Sequence, residues 1–197
     1  MIETIRTHLA KSAAVQTEMA AQLAGPIARA ADILITALRQ GRTIYVCGNG
    51  GSASQAQHIA GELIGRFLVD RPALPCVALT TDTSVLTAVG NDYDFERIFE
   101  RQVQGVVKEG DVLWALSTSG NSVNVLKAAV AARTCGAKVI GMAGRTGGKL
   151  KELCDVTLCV PADSSPHIQE GHLALLHVLC VLVEQAMFAR DAPPSKG

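Results

Sequence analysis

The chain has no surplus charge of either sign: its 197 residues hold 18 Lys and Arg against 18 Asp and Glu. Without excess basic residues, little is available to neutralise a run of phosphates, which argues against a nucleic-acid binder working through a basic face. The chain also lacks an uninterrupted apolar run near the roughly 20 residues that a membrane-spanning helix needs. Its richest stretch, 173–183, is broken by His177 and followed by Glu184. The opening Met1-Ile2-Glu3-Thr4 has neither a basic start nor an apolar block, so no signal peptide is expected. None of the six cysteines (Cys47, Cys76, Cys135, Cys154, Cys159, Cys180) pairs into C-x-x-C, and most sit inside apolar segments. They read as reduced core residues of a cytoplasmic protein, not as a disulfide framework or a thiolate zinc site. Internal repeats, low-complexity blocks and linkers are absent as well.

What is present is a hydrophobic share of 48% beside a charged share of 18%. That ratio suits burial of more surface than a small monomer hides, so an oligomer is expected. The length fits one domain. Residues 1–40 have helical periodicity in two pieces. A first helix shows apolar Ile5, Leu9, Val15 and Met19, and a second spans about 27–38, after Gly25-Pro26 and before Gly41. Five short apolar runs then alternate with helical stretches. Strands are expected at 43–47, 76–79, 112–116, 138–142 and 156–160. Helices are expected near 52–67, 84–89, 95–106, 123–135 and 148–153, with a closing helix over 167–190. Strands that are apolar throughout, instead of alternating, belong to a parallel sheet covered on both faces. The expected fold is therefore an α/β three-layer sandwich with a five-stranded parallel sheet, led in by the N-terminal helices and closed by a long C-terminal helix. One domain over 1–190 would leave 191–197 as a disordered tail.

In such folds ligands sit beyond the carboxyl ends of the strands. The first strand ends in Gly48-Asn49-Gly50-Gly51-Ser52, directly before a helix. Its glycines permit positive φ and close approach, and the helix start offers free N–H groups to an anion. It is neither G-x-G-x-x-G, since Ala53 takes the last glycine's place, nor a P-loop, since no Lys-Ser/Thr pair follows. A plain turn with a serine N-cap accounts for it equally well. The third strand ends in Ser117-Thr118-Ser119-Gly120-Asn121-Ser122. A cap needs one hydroxyl; four around a glycine at a helix start suit a phosphate monoester.

His58 and Glu62 are spaced i, i+4, so they share a helix face and can converge on a metal or on one substrate atom. The closing helix bears Gln169, Glu170, His172 and His177. A lone His on an apolar face is usually a hydrogen-bonded core residue, and His172 and His177 each fit that description. His177, between Leu176 and Val178, must find its partner elsewhere, and His58 or Glu62 could supply it. Gln169 and His177 are eight residues apart, roughly 12 Å of rise. A single ion would join them only through long reach, an irregular first turn or two subunits.

On these five segments, with Val89-Gly90-Asn91-Asp92 and Ile168-Gln169-Glu170 among them, almost the whole chain resembles the bacterial phosphoheptose isomerases of the sugar isomerase (SIS) domain superfamily. The resemblance implies a homotetramer with active sites at subunit interfaces and helices 1–40 packing in the oligomer. It implies that Ser117, Thr118, Ser119 and Ser122 bind the substrate phosphate. Asn49, Gly50 and Gly51 would line the sugar site, Asn91 and Asp92 would reach it from a neighbouring loop, and Glu62 and Gln169 would also touch substrate. His58, Glu62, Gln169 and His177 match the family's zinc ligands, one ion per subunit, and Glu62 and His177 its acid–base pair. The implied reaction interconverts D-sedoheptulose 7-phosphate and D-glycero-D-manno-heptose 7-phosphate, a first step towards the heptose of lipopolysaccharide or capsule. Pro166 departs from the pattern, standing where some members have an aspartate. Two other readings stay open: a non-catalytic SIS regulator of the replication initiator, which would not be expected to keep the His/Glu/Gln/His set, and an isomerase of another phosphosugar. Whether zinc would be catalytic or structural also stays open, because a carboxylate tight on zinc is a poorer base.

Overall fold

The computed structural model describes residues 1–188; the expected tail at 191–197, and 189–190 of the closing helix, lie outside them. Two helices, α1 (Ile2–Gln22) and α2 (Ala24–Arg39), precede β1 (Ile44–Cys47), α3 (Gly51–Ile64) and β2 (Cys76–Ala78). Then come α4 (Thr83–Asp92), a 3-10 turn at Phe95–Arg97, α5 (Ile98–Val106), β3 (Val112–Leu116) and α6 (Val123–Thr134). The chain continues through β4 (Lys138–Gly144), a 3-10 turn at Gly148–Leu153, β5 (Val156–Val160) and α7 (Ser165–Phe188).

The five strands form one parallel sheet in the order β2-β1-β3-β4-β5. Period-two alternation splits each strand between two cores. Ile44, Val46, Val112, Trp114, Leu116, Ile140 and Met142 pack with α2, α3 and α7 on one face. Tyr45, Cys47, Leu113, Ala115 and Val139 pack with α5 and α6 on the other. The expected three-layer sandwich is the observed one. α7 is long and apolar enough by length and composition to cross a membrane, yet it packs on α1, α2, α3, β4 and β5 and buries His172 and Glu184.

Several local expectations differ. The first two helices break at Leu23, leaving Pro26 at the third position of α2, where its missing N–H costs nothing; Gly41, at φ +69°, lies just past the end of α2. Helix α4 runs on to Asp92, so Asn91 and Asp92 lie in a last helical turn and not in a loop; at its other end the Asp82 carboxylate accepts from Val85 N at 3.0 Å. Pro166 takes the second position of α7, inside the first turn where proline is tolerated.

Because β1 connects to β2 on one side while β3 lies on the other, the strand order reverses between β1 and β3. That crevice is where a doubly wound sheet places its ligand, and both candidate loops open there.

Candidate active site

The loop after β1 ends at Gly50, which caps α3 in a conformation (φ +56°) that favours glycine. Ser52, expected as the cap, is instead buried in the first turn of the helix. A side chain at Gly48 would collide with Ser52 and with the Leu116 carbonyl, so β1, α3 and β3 approach closely there. Asn49 points across the crevice and exchanges two amide hydrogen bonds, both 2.8 Å, with Asn124 at the start of α6. This reciprocal pair locks the two loops together. Asn124 was missed at the sequence level because an asparagine inside a helix gives no periodic signal.

In the second loop, Ser117 and Ser122 hydroxyls lie 3.0 Å apart, and the Ser119 hydroxyl accepts from Asn121 N at 3.1 Å. Ser122 is the N-cap residue of α6 but makes no side-chain cap bond. The loop is braced from β4 and the 3-10 turn after it: Gly144 N donates to the Thr118 carbonyl (2.9 Å) and Leu150 N to the Gly120 carbonyl (2.9 Å). Gly120 sits at φ +65° against the backbone of Gly147 and Gly148, leaving no room for a side chain. A rigid turn thus holds several hydroxyls and the uncapped start of α6 in one place, which is what a phosphate monoester requires.

Further along α3, three of the expected ligands meet. His58 Nε2 lies 2.9 Å from Glu62 Oε1 and 3.3 Å from His177 Nε2, and all the ligand atoms fall within 4.8 Å of one another. His177 therefore finds its partner across the α3–α7 contact, as its sequence position required. The pattern also favours a cation. His58 Nε2 faces an acceptor and a second ring nitrogen at once, and one nitrogen cannot both donate to Glu62 and accept from His177. An ion among the three would use every lone pair. Imidazole and carboxylate donors suit zinc.

Gln169 is not part of this group. Its side chain lies over Gly51, at the other end of α3, where any Cβ would strike its amide. Its carbonyl accepts from Gln55 Nε2 at 2.7 Å. Asn91 Nδ2 donates to Asp92 Oδ1 (2.9 Å) on the exposed end of α4, and no hydrogen bond among the described residues joins these side chains to the Ser117–Ser122 loop. His172 is a core residue: fully buried, with Nε2 3.3 Å from the Ala143 carbonyl. Burial holds its pKa down, to about 4.

Against this geometry, the SIS domain family profile matches residues 7–144. The phosphoheptose isomerase of Trichlorobacter lovleyi is 48% identical over 184 residues, covering 93% of this chain and 94% of that one. The chain belongs to the phosphoheptose isomerase family. The family's protein from Burkholderia pseudomallei is 50% identical over 191 residues, covering 94% and 97% of the two chains. The solved structure of the Neisseria gonorrhoeae phosphoheptose isomerase superposes with a TM-score of 0.88 at 42% identity, over 93% of this chain and 98% of that one.

In this family member the triad has a support that residue spacing did not reveal. Phe67 stacks on His177, ring centroids 5.4 Å apart and 22° between planes. The segment bearing Phe67 is held by Glu184, which accepts from the backbone N–H of Phe67 (3.0 Å), Leu68 (2.9 Å) and Val69 (3.2 Å) and from Arg71 Nε (2.9 Å). Arg71 in turn donates to the Glu62 and Leu63 carbonyls at the end of α3 (2.7 and 2.8 Å). Both charged side chains are buried, Arg71 at 1% and Glu184 at 4% exposure. Burial alone would push the Glu184 carboxyl up; the backbone N–H groups and the guanidinium outweigh it and hold the pKa below the ordinary value. One carboxylate thus ties together α7, α3 and the loop under His177.

Proposed function

We propose that the protein interconverts D-sedoheptulose 7-phosphate and D-glycero-D-manno-heptose 7-phosphate, supplying activated heptose for a surface polysaccharide. The observation that supports this most is the meeting of Glu62 and His177, an acid–base pair from two helices, in a chain 48–50% identical to phosphoheptose isomerases. The Ser117, Thr118, Ser119 and Ser122 hydroxyls and the start of α6 bind the phosphate. Asn49, Gly50, Gly51 and Gln169 line the sugar, with Asn91 and Asp92 reaching it from the end of α4, in a homotetramer with active sites at subunit interfaces.

From the ketose side, Glu62 removes a proton from C1 while His177 protonates the C2 carbonyl oxygen, giving a cis-enediol. Glu62 then returns its proton to C2, and His177 takes the O1 proton as the C1 carbonyl forms. Both groups end as they began. Each acid–base role is worth about 10²–10⁴ in rate. His58, Glu62 and His177 would hold a zinc ion, which when bound supplies Lewis-acid polarisation of the carbonyl oxygen; Glu62 and His177 act as base and acid only when released from it, because a lone pair given to a metal cannot take up a proton. Gln169, displaced along α3 in its own chain, would join such an ion only from a neighbouring subunit.

Residues 1–190 are read as one domain, with helices 1–40 at the oligomer contacts. Exposed Ile2, Ile5 and Leu9 on α1 support that reading. The six cysteines are all free, which suits a reducing cytoplasm.

Turnover compared among sedoheptulose 7-phosphate, fructose 6-phosphate and ribulose 5-phosphate tests the proposal. A kcat/KM at least about 100-fold higher for the heptose, a discrimination of ~2.7 kcal/mol, supports it. Equal or better turnover of a shorter sugar would point to another phosphosugar isomerase, and binding without turnover to a regulator.

A further inference from the structure

A second cluster of the same composition lies elsewhere on α7. His8, near the start of α1, places Nε2 2.8 Å from Glu170 Oε1. His167 places Nδ1 3.0 Å from Glu170 Oε2. The two imidazoles sit with centroids 4.3 Å apart and planes at 40°, and the three ligand atoms fall within 4.8 Å of one another. Residues 162 positions apart are thereby joined at one point.

We propose that His8, His167 and Glu170 form a second divalent-metal site, separate from His58, Glu62 and His177, that pins the N-terminal helix to α7. The donor set is two imidazoles and one carboxylate, which selects zinc and its neighbours in the transition series over magnesium or calcium. Ligand atoms on a tetrahedral ion with bonds of ~2.0–2.1 Å stand ~3.3 Å apart, a few tenths more than the two N···O separations of 2.8 and 3.0 Å. In the metal-free form each ring nitrogen shares a proton with one carboxylate oxygen, and the ion takes the place of both protons. A cavity of about 380 Å³, bordered by His8 and His167 with Thr4, Thr7 and Lys11, opens beside the group. It leaves space for water at the remaining coordination position.

The placement gives the ion a structural role. Residues 1–11 are all exposed, and α1 buries only Met19. Within one subunit the first half of this helix therefore makes little apolar contact, and the His8–Glu170 bond with the His8–His167 ring contact ties it to α7. A metal bond there converts a solvent-exposed hydrogen bond into a fixed crosslink. The inference is independent of the isomerase reading, because it uses none of His58, Glu62 and His177.

The test uses the full chain carrying His58→Ala and His177→Ala, stripped of metal, so that the first triad cannot bind. Titration with Co²⁺ should give one equivalent per chain with the visible bands of a tetrahedral N/O site, and Zn²⁺ should displace it and raise Tm. Adding His8→Ala should weaken Co²⁺ binding at least tenfold and remove the Zn²⁺-dependent rise in Tm; His8→Asn, with circular dichroism to verify the helix, separates ligand loss from unfolding. Absence of a cobalt equivalent in the first background, or binding unchanged by both His8 variants, would overturn the proposal.

Discussion

Helix α7 takes part in two clusters with the same ligands, two histidines and a glutamate, and only one is backed by a stacked aromatic ring and a buried ion pair. His58, Glu62 and His177 sit where α3 descends from the β1 loop, with Phe67 stacked on His177 and the buried Arg71–Glu184 pair beneath. His8 lies on the exposed first half of α1, and the half-buried His167 and Glu170 in the first turns of α7, with no buried ion pair beneath them among the described residues. Ligand chemistry alone therefore does not make a catalytic centre. The difference lies in what surrounds the ligands: a stacked aromatic ring and a second layer of buried hydrogen bonds.

The sharpest way to separate the clusters is Glu62→Gln. It keeps the shape and removes the base, so kcat should fall about 10²–10⁴-fold with KM little changed; steady-state kinetics with sedoheptulose 7-phosphate would show it. Full turnover in a folded variant would remove Glu62 from the chemistry. Glu170→Gln serves as the contrast, since it alters the other cluster only.

Next in size is Glu184→Ala. Leaving Arg71 buried without its carboxylate should cost about 3–5 kcal/mol, read as a fall in denaturation midpoint. Surviving folded protein should also lose activity as Phe67 releases His177, while His8-dependent cobalt binding persists. If stability and activity both hold, the support beneath the first triad is not what distinguishes it.

A third effect belongs to neither cluster and checks that acid sensitivity is not credited to them. His172 is held near 4 in the folded state by burial, against about 6.5 when unfolded. Protons therefore bind the unfolded chain more readily. The contribution is fully present above about pH 6.5 and is lost as pH falls towards 4, amounting to about 3 kcal/mol. Urea midpoints measured between pH 7 and 4.5 should decline more steeply in the wild type than in His172→Asn.

The smallest effect is Ser119→Ala. One hydroxyl removed from a charged phosphate is worth about 1.5–3 kcal/mol, so KM for the phosphorylated sugar should rise about tenfold or more, with no change towards unphosphorylated sedoheptulose. An unchanged KM would take the Ser117–Ser122 loop out of phosphate recognition.

Most of the fold was legible because its strands are apolar on both faces and its helices start at recognisable turns. Leu113 and Trp114 point to opposite cores, and only a covered parallel sheet accommodates both. The extent of α4 was not legible, because Asn91 and Asp92 give no helical signal at its exposed end. His58 and Glu62 were readable from i, i+4 spacing, and His177 from its lack of any local partner. Phe67, Arg71, Glu184 and Asn124 were not, since their roles arise from tertiary contacts between segments with no shared periodicity. The eight-residue spacing of Gln169 from His177 left open how it could join the other ligands, and the structure instead lays it on Gly51.

The most direct test of the catalytic assignment is proton NMR of the purified protein with sedoheptulose 7-phosphate in D₂O. The enediol route through Glu62 and His177 predicts an aldose anomeric signal growing together with deuterium at C1 and C2. A folded, zinc-supplemented protein that gives neither product nor exchange would contradict it.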